Sequence, residues 1–528
     1  MRRAGWVLAL LASASVPLVA CGSVGPGRAL AAAAGSPVLR IAIGVDPDTL
    51  DPKRQTTTTV MNVVQMVVES LARVDQDGHV QPSLATGWDE APGGLSWTFT
   101  LRGGVRFSDG TPMDAAAVAG SLTRSLDPSG TCAECGALPG AVQRVEAVDA
   151  SHVRLVMAIP LASDVVLGLL SLTAFGILSP RTILAGTPGY SLQEHPVGTG
   201  PYVLQERVTG DHITLVRNDG YWDERPYYAR QVVDVVPDAA TREALVRSGE
   251  DQVALMPPVG DLPAMRRDSN VKLLMAAGDR SVFFAIDTRD DRQPLLRKVQ
   301  VRQALNFAIN RDAIVQSTLV GAAEPATSAM APSVVGYCAQ SDPYRYDPDR
   351  ARAMLRTAGA AGLTVTLIAP TGRYIQDFPA AQNVAGDLRA IGVDVRGPAT
   401  MDWPTYVRTT IVPPENATVD MHMLGWAPQY LDASNAMQMF DPGQIPPRGV
   451  QTAYYGNPAV TALLAKAQVE PDREARAQEY CDAQRQVWND APWIFLWTEK
   501  FPIVYSSRVV DVRSNPTESF DTVHARPA

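Results

Sequence analysis

Alternating apolar positions open the folded part of the chain: Leu39, Ile41, Ile43 and Val45 recur with period two and predict a half-buried strand. Val60, Val63, Val64, Val67, Val68 and Leu71 follow at helical spacing and predict the inner face of a helix. Later, Val232 to Val236 reads as a strand, Asp238 as the cap of a helix around Thr241 to Arg247, and Val253 to Met256 as another short strand. Leu363 to Ile368, a helix ending at Gly392, and Val393 to Val395 form a second strand, helix, strand unit. This order calls for parallel pairing, so the pattern predicts an α/β protein with two separate parallel-sheet lobes.

Between these units Asp347-Pro348 opens a helix that Gly359 closes. Asn457-Pro458 starts another, with Val460, Leu463, Leu464 and Ala467 on its inner face. From about Val80 to Pro196 the pattern changes. Short strands at Trp97 to Leu101 and Val153 to Met157 mix with a helix from Asp114 to Leu126, which reads as an inserted α+β lobe. The apolar stretch Val153 to Leu178 is interrupted by Pro160 and Asp164 and reads as buried structure, being too broken for a membrane span.

The N-terminal pattern is of another kind. Arg2 and Arg3 precede an apolar run from Val7 to Val19, and Leu18-Val19-Ala20 leads into Cys21, which predicts a cleaved export signal over residues 1–20. Leu18 to Cys21 resembles the bacterial lipobox, which implies an acylated Cys21 as the new N-terminus and anchorage to the outer face of the cytoplasmic membrane. The alternative is an ordinary signal cut within Ala29 to Ala34. Residues 21–37 are small and polar enough to serve as a tether. Losing Arg2 and Arg3 takes the formal charge from −9 to −11, which excludes attraction to nucleic acid as a function. With Cys21 acylated, Cys132, Cys135, Cys338 and Cys481 remain as candidate disulfide partners, with three possible connectivities. No second close Cys or His pair accompanies Cys132 and Cys135, so neither a metal site nor a cofactor is expected.

Leu101-Arg-Gly-Gly-Val-Arg-Phe-Ser-Asp-Gly-Thr-Pro112 resembles the signature region of family 5 extracellular solute-binding proteins of ABC importers. Pro196 to Tyr202, Ile213 to Asn218 with Tyr221-Trp222, Val301 to Arg311, Tyr346 to Pro348 and Asp490 to Trp493 resemble later blocks in the expected order. The resemblance implies a fold of the periplasmic-binding-protein type II, with two α/β lobes around a ligand cleft and an inserted α+β lobe. The expected divisions are 38–76, 195–284 and 499–528 for lobe I, 77–194 for inserted lobe II and 285–498 for lobe III. It further implies a monomer that captures peptides or peptide-like solutes and delivers them to a permease with its ATPase subunits.

The family's ligand-facing segment corresponds to Leu424 to Asp432. Peptide binders commonly carry an acid three positions after the tryptophan, paired with the ligand's α-ammonium; here Gln429 stands there. An amide cannot neutralise a buried ammonium, so Asp432 is the candidate substitute. Trp426 and Tyr430 are candidate pocket walls, against the alternative of core packing. Arg373 and Tyr374 follow a predicted strand where α/β lobes place ligand contacts, and Arg373 could bind a carboxylate, although an exposed surface arginine is the better explanation of it. Thr56, Thr57 and Thr58 offer hydroxyls from the first lobe or a solvated helix cap.

An enzyme is the rival class. Gly198-Thr-Gly200 lacks the third glycine of a dinucleotide loop, and no His-Glu-x-x-His, P-loop or Gly-x-Ser-x-Gly pattern is present. Within the family, a non-peptide solute such as an oligosaccharide, metal chelate or opine is the alternative cargo, and a sensory envelope protein the alternative role.

Overall fold

Two long antiparallel strands, Val271–Ile286 and Trp493–Ser506, join the two halves of the molecule. The computed structural model describes residues 37–528 apart from 48, 55–57, 128–131, 133–134, 185–190, 193 and 290–291. The export signal, the tether and Cys21 therefore lie outside the described residues, as do Thr56 and Thr57. On one side of the long pair lie Val253–Leu255, Val38–Ile43, Arg230–Val235, His212–Arg217 and Tyr202–Val208; on the other lie Met421–Trp426, Thr364–Pro370 and Asp394–Met401. With Ala323–Pro325 paired to Trp493–Ser506, they make one eleven-stranded sheet.

The two predicted parallel units are present, but they are not separate sheets. Val38–Ile43 pairs in parallel with both Arg230–Val235 and Val253–Leu255, and Thr364–Pro370 pairs in parallel with Asp394–Met401. The long strands continue the hydrogen-bonded ladder from one unit into the other. The second of them escapes period-two reading because Trp493 to Glu499 is buried at every position, inward and outward alike.

Local signals set most element ends. Asp238, Asp347 and Asn457 cap their helices by accepting the N–H of Thr241, Arg350 and Ala459. The helix after the first strand is shorter than its apolar spacing predicts, covering Thr58–Val64. Beyond it the chain turns so that the carbonyls of Val67 and Met66 accept from Gly200 and Tyr202, both at 3.0 Å. A Cβ at Gly198 or Gly200 would run into those backbone atoms, so the glycines of this block serve close chain packing. Val45 lies past the strand end and is exposed.

A four-stranded antiparallel sheet, ordered Ala85–Glu90, Ser96–Leu101, His152–Met157, Val142–Ala147, is flanked by helix Ala115–Leu126. Three hydrophobic cores result. The first centres on Leu39, Ile41, Val233 and Ile503, the second on Trp97, Phe99, Leu122 and Phe175, the third on Phe283, Val365, Met423 and Trp493. Several signature residues tie these parts together. Glu69 accepts from Thr199 at 2.7 Å, Tyr221 at 2.8 Å and Trp222 at 2.8 Å, and the Asn306 side chain accepts from Arg311 at 2.9 Å and Phe495 at 3.1 Å. No helix among the described residues is long and apolar enough to cross a membrane.

The disulfides are Cys132–Cys135 and Cys338–Cys481, one of the three connectivities left open. They span sequence separations of 3 and 143 residues, and a larger closed loop restricts the unfolded chain more, by up to about 5 kcal/mol. Replacing Cys338 and Cys481 with Ser is expected to lower the melting temperature clearly more than replacing Cys132 and Cys135; calorimetry of the two double variants checks this.

Candidate functional site

Strand Met421–Trp426 ends with Trp426 paired to Ser281, and the chain then turns through Pro428 into the segment Gln429 to Asp432. Asp432 fixes that segment. It is 2% exposed, caps helix Ala433–Ala436 by accepting the Ser434 N–H, and receives both terminal nitrogens of Arg476 from helix Arg473–Asp490. The role of substitute ammonium partner is corrected here: the Asp432 carboxylate is buried, outside the cavity lining, and already committed to an ion pair with Arg476.

Tyr430, next to it, leaves the third core and enters the second. Its ring lies over Gly168 of helix Ser163–Leu170, where an added Cβ would stand 3.3 Å from the ring. Its hydroxyl is 3.1 Å from Ser434 Oγ, and burial pushes its pKa up to about 12, so it stays neutral. Arg476 also stands 3.7 Å from Asp164 on that helix, and Arg473 pairs with the same carboxylate. The Gln429 to Asp441 segment is thereby docked against the region of the second core.

Along this seam lies a cavity of about 380 Å³. Leu161 and Val165 form part of one wall beside Gly136 and Ala137 of the Cys135 loop. The lining also includes five amide residues, Gln429, Asn435, Gln438, Gln444 and Gln468, and three hydroxyl residues, Tyr430, Ser434 and Tyr480. Asp441 and Leu464 complete it. Gln429 is held by its backbone N–H, which donates to Asn435 Oδ1 at 2.7 Å. The site is polar, almost neutral, and suited to solutes with many paired donors and acceptors.

Of the sequence candidates, Gln429 and Tyr430 meet in this cavity. Arg373 and Tyr374 do not line it. Their loop is held by Asp377, which accepts the N–H of Gly372, Arg373 and Tyr374. Arg373 is exposed, with its guanidinium 5.3 Å from the Tyr374 ring and 5.0 Å from that of Trp403. Tyr374 is buried against Gly425. Trp426 is half-buried against the third core, outside the cavity lining, and its Nε1 is buried without a hydrogen bond among the described residues. Thr58 begins helix Thr58–Val64. Sequence reasoning missed Asn435, Gln438, Asp441 and Gln444, whose signal is a scatter of polar residues within the apolar run after Asp432.

The family model "Bacterial extracellular solute-binding proteins, family 5 Middle" matches residues 79–445. The chain belongs to this family. Glutathione-binding protein GsiB of Pectobacterium atrosepticum is 30% identical over 487 residues, covering 91% of this chain and 92% of that protein. The dipeptide binding protein from Pseudoalteromonas sp. SM9913, solved with Met-Leu, is 24% identical and matches with a TM-score of 0.76 over 93% of this chain and 100% of that one. NikA from Brucella suis, solved with Fe(III)-EDTA, is 23% identical, with a TM-score of 0.81 and the same coverages of 93% and 100%. The fold is thus the mixed α/β fold of periplasmic binding proteins. As a family 5 protein it binds a small solute outside the cytoplasm for an ABC transporter, without catalysing a reaction, and the family implies a permease as partner.

In this solute-binding protein the long strands carry a buried ionic group between the halves. Their register shifts between Ala277 and Ser281, and Gly278 is required because a Cβ would strike the Glu499 carbonyl. Within the shift, Arg280 reaches Glu499 at 3.4 Å and Glu518 at 3.1 Å, while Glu499 Oε1 accepts the Ile375 N–H at 2.9 Å. Burial pushes Glu499 up to about 7, with Arg280 opposing the shift. A folded value above the unfolded one favours the protonated form, so this group's stabilisation is complete below about pH 4.5 and is lost as pH rises through about 7. Glu499→Gln is expected to reduce the fall in melting temperature between about pH 5 and about pH 8 relative to wild type; an equal fall in both proteins would contradict titration of Glu499 in that window.

Proposed function

We propose that this family 5 protein captures peptides or peptide-like solutes in the cavity between the second and third cores and delivers them to its permease. The observation that carries the reading is the lining of five amide and three hydroxyl residues. A primary amide offers both a donor and an acceptor, which matches the N–H and C=O of a peptide unit group for group. The volume of about 380 Å³ suits a small solute. The name of the GsiB relative supports the same class, since glutathione is a short peptide-like molecule.

The capture step follows from the two-sided wall. A solute that touches Leu161 or Val165 on one side and Gln438 on the other binds the docked arrangement more tightly than any arrangement in which the walls part, and so shifts the population toward it. The three expected lobes, with the divisions given above, are the bodies that this shift would move. Acylation of Cys21 would hold the protein at the membrane surface beside the permease, and mass analysis of the mature protein tests it directly.

The chain from Gly22 onward, prepared without lipid, is expected to release a heterogeneous set of short-peptide masses when native and denaturing mass spectra are compared. A single discrete non-peptide mass would reassign the cargo to a specialised solute. Gln438→Leu, which removes one cavity amide, is expected to weaken binding of a retained peptide by about tenfold while leaving the melting temperature unchanged. Titration calorimetry with thermal unfolding of the same variant separates the two effects.

A further inference from the structure

We infer that Gln484 is a positioning residue for the solute cavity, fixing the segment that carries Gln429, Tyr430, Ser434 and Asn435 into its lining. This role rests on the cavity being the solute site, as proposed above; Gln484 itself lies outside the lining. It is fully buried in helix Arg473–Asp490, and its amide is used completely. Oε1 accepts the Cys338 N–H and the Ser328 hydroxyl, both at 3.0 Å, while Nε2 donates to the carbonyls of Gly336 at 2.7 Å and Tyr480 at 3.1 Å. Three of these bonds go to the stretch 328–338, and the Cys338–Cys481 disulfide ties the end of that stretch to the same helix.

The loop so held is seated directly on the segment. Val335 donates its N–H to the Leu431 carbonyl at 3.1 Å and accepts the Ala433 N–H at 2.9 Å, which makes a parallel bridge to Asp432. Gly336 has a φ of 87°, and a Cβ there would stand 3.0 Å from the Ala433 Cβ, so no side chain fits between loop and segment. Burial does little to hold the loop, because Val335 is exposed and Tyr337 and Cys338 are half-buried. Its place depends on polar bonds, and without Gln484 the Gly336 carbonyl and the Cys338 N–H would lose their partner. Arg476, Tyr480 and Gln484 recur every four positions and share one face of the helix. Along that face Arg476 pairs with Asp432, Tyr480 lines the cavity, and Gln484 holds the loop that bridges to Asp432.

Gln484→Met removes the hydrogen bonds at similar volume, and Ser328→Ala is a milder variant that removes one donor to Oε1. Amide hydrogen exchange of the full protein without solute is read at Gln429, whose N–H is held by Asn435, and at Phe99 of the second core as the control. Gln484→Met is expected to speed exchange at Gln429 at least about tenfold relative to Phe99, and Ser328→Ala about threefold. Equal acceleration at both amides, the mark of a residue that only stabilises the fold, overturns the inference. So does an unchanged ratio in Gln484→Met, or in Ser328→Ala where Gln484→Met does not fold. Calorimetry with Ala-Ala-Ala reads the site itself, and Gln484→Met is expected to weaken binding about tenfold without removing any lining residue. Unchanged affinity for a tripeptide that wild type binds also overturns the inference while the peptide reading stands. If Ala-Ala-Ala does not bind wild type, the peptide reading falls, and the exchange ratio alone decides the role of Gln484.

Discussion

The ion pair between Asp432 and Arg476 is the constraint on which the site depends. Both side chains are almost fully buried, at 2% and 5% exposed, so each would carry a large desolvation cost without the other. Removing one partner of such a pair costs about 3–5 kcal/mol, far more than an exposed pair contributes. Its position makes that energy matter locally. The pair fixes the start of helix Ala433–Ala436, so it sets where Gln429 and Tyr430 stand on one side and where Ser434 and Asn435 stand on the other. Arg476 then stands 3.7 Å from Asp164, which carries the constraint across the seam. The Arg473 contact to Asp164 is exposed at the arginine end and contributes little by comparison.

The paired strands Val271–Ile286 and Trp493–Ser506 impose a second constraint of a different kind. They are continuous across the molecule, yet their register shifts at Ala277 to Ser281, where backbone crowding requires Gly278. A shift there interrupts the ladder between the half that pairs with Val253–Leu255 through Trp493–Ser506 and the half that pairs with Met421–Trp426. Arg280, Glu499 and Glu518 sit at this interruption. Interior charges thus stand beside the register shift at the point where the two halves meet.

The legible parts of the fold are those written locally. The caps at Asp238, Asp347 and Asn457 require only residues within one helical turn, and the parallel units require only short apolar runs. The strand Trp493–Ser506 was not legible because burial on both faces removes the alternation that marks a strand. The pairing of Cys338 with Cys481 spans 143 residues, and the partner of Asp432 lies 44 residues away, so neither could be read from its neighbourhood. At the site, Gln429 and Tyr430 were reachable through the family segment, whereas Arg373 and Tyr374 followed a general rule about strand ends and stand apart from the cavity. Gln438, Asp441 and Gln444 became visible only when folding placed them opposite Leu161 and Val165, because a wall made from two cores has no signature in either segment alone.

The buried anchors and the cavity lining therefore divide the work between different residues. Asp432, Arg476 and the Tyr430 ring hold the seam, and their polar groups have partners within the protein. The amide residues line the cavity with a nearly neutral surface, which favours solutes by the number and placement of hydrogen bonds instead of by net charge. An amide can reverse its donor and acceptor without losing a contact, so these residues place few demands on a solute's pattern of polar groups. The lining also holds groups that cannot be reversed in this way: the apolar pair Leu161 and Val165, and the carboxylate of Asp441. A binding protein built this way can change cargo by substitution at those positions while the ion pair that positions the cavity is left intact.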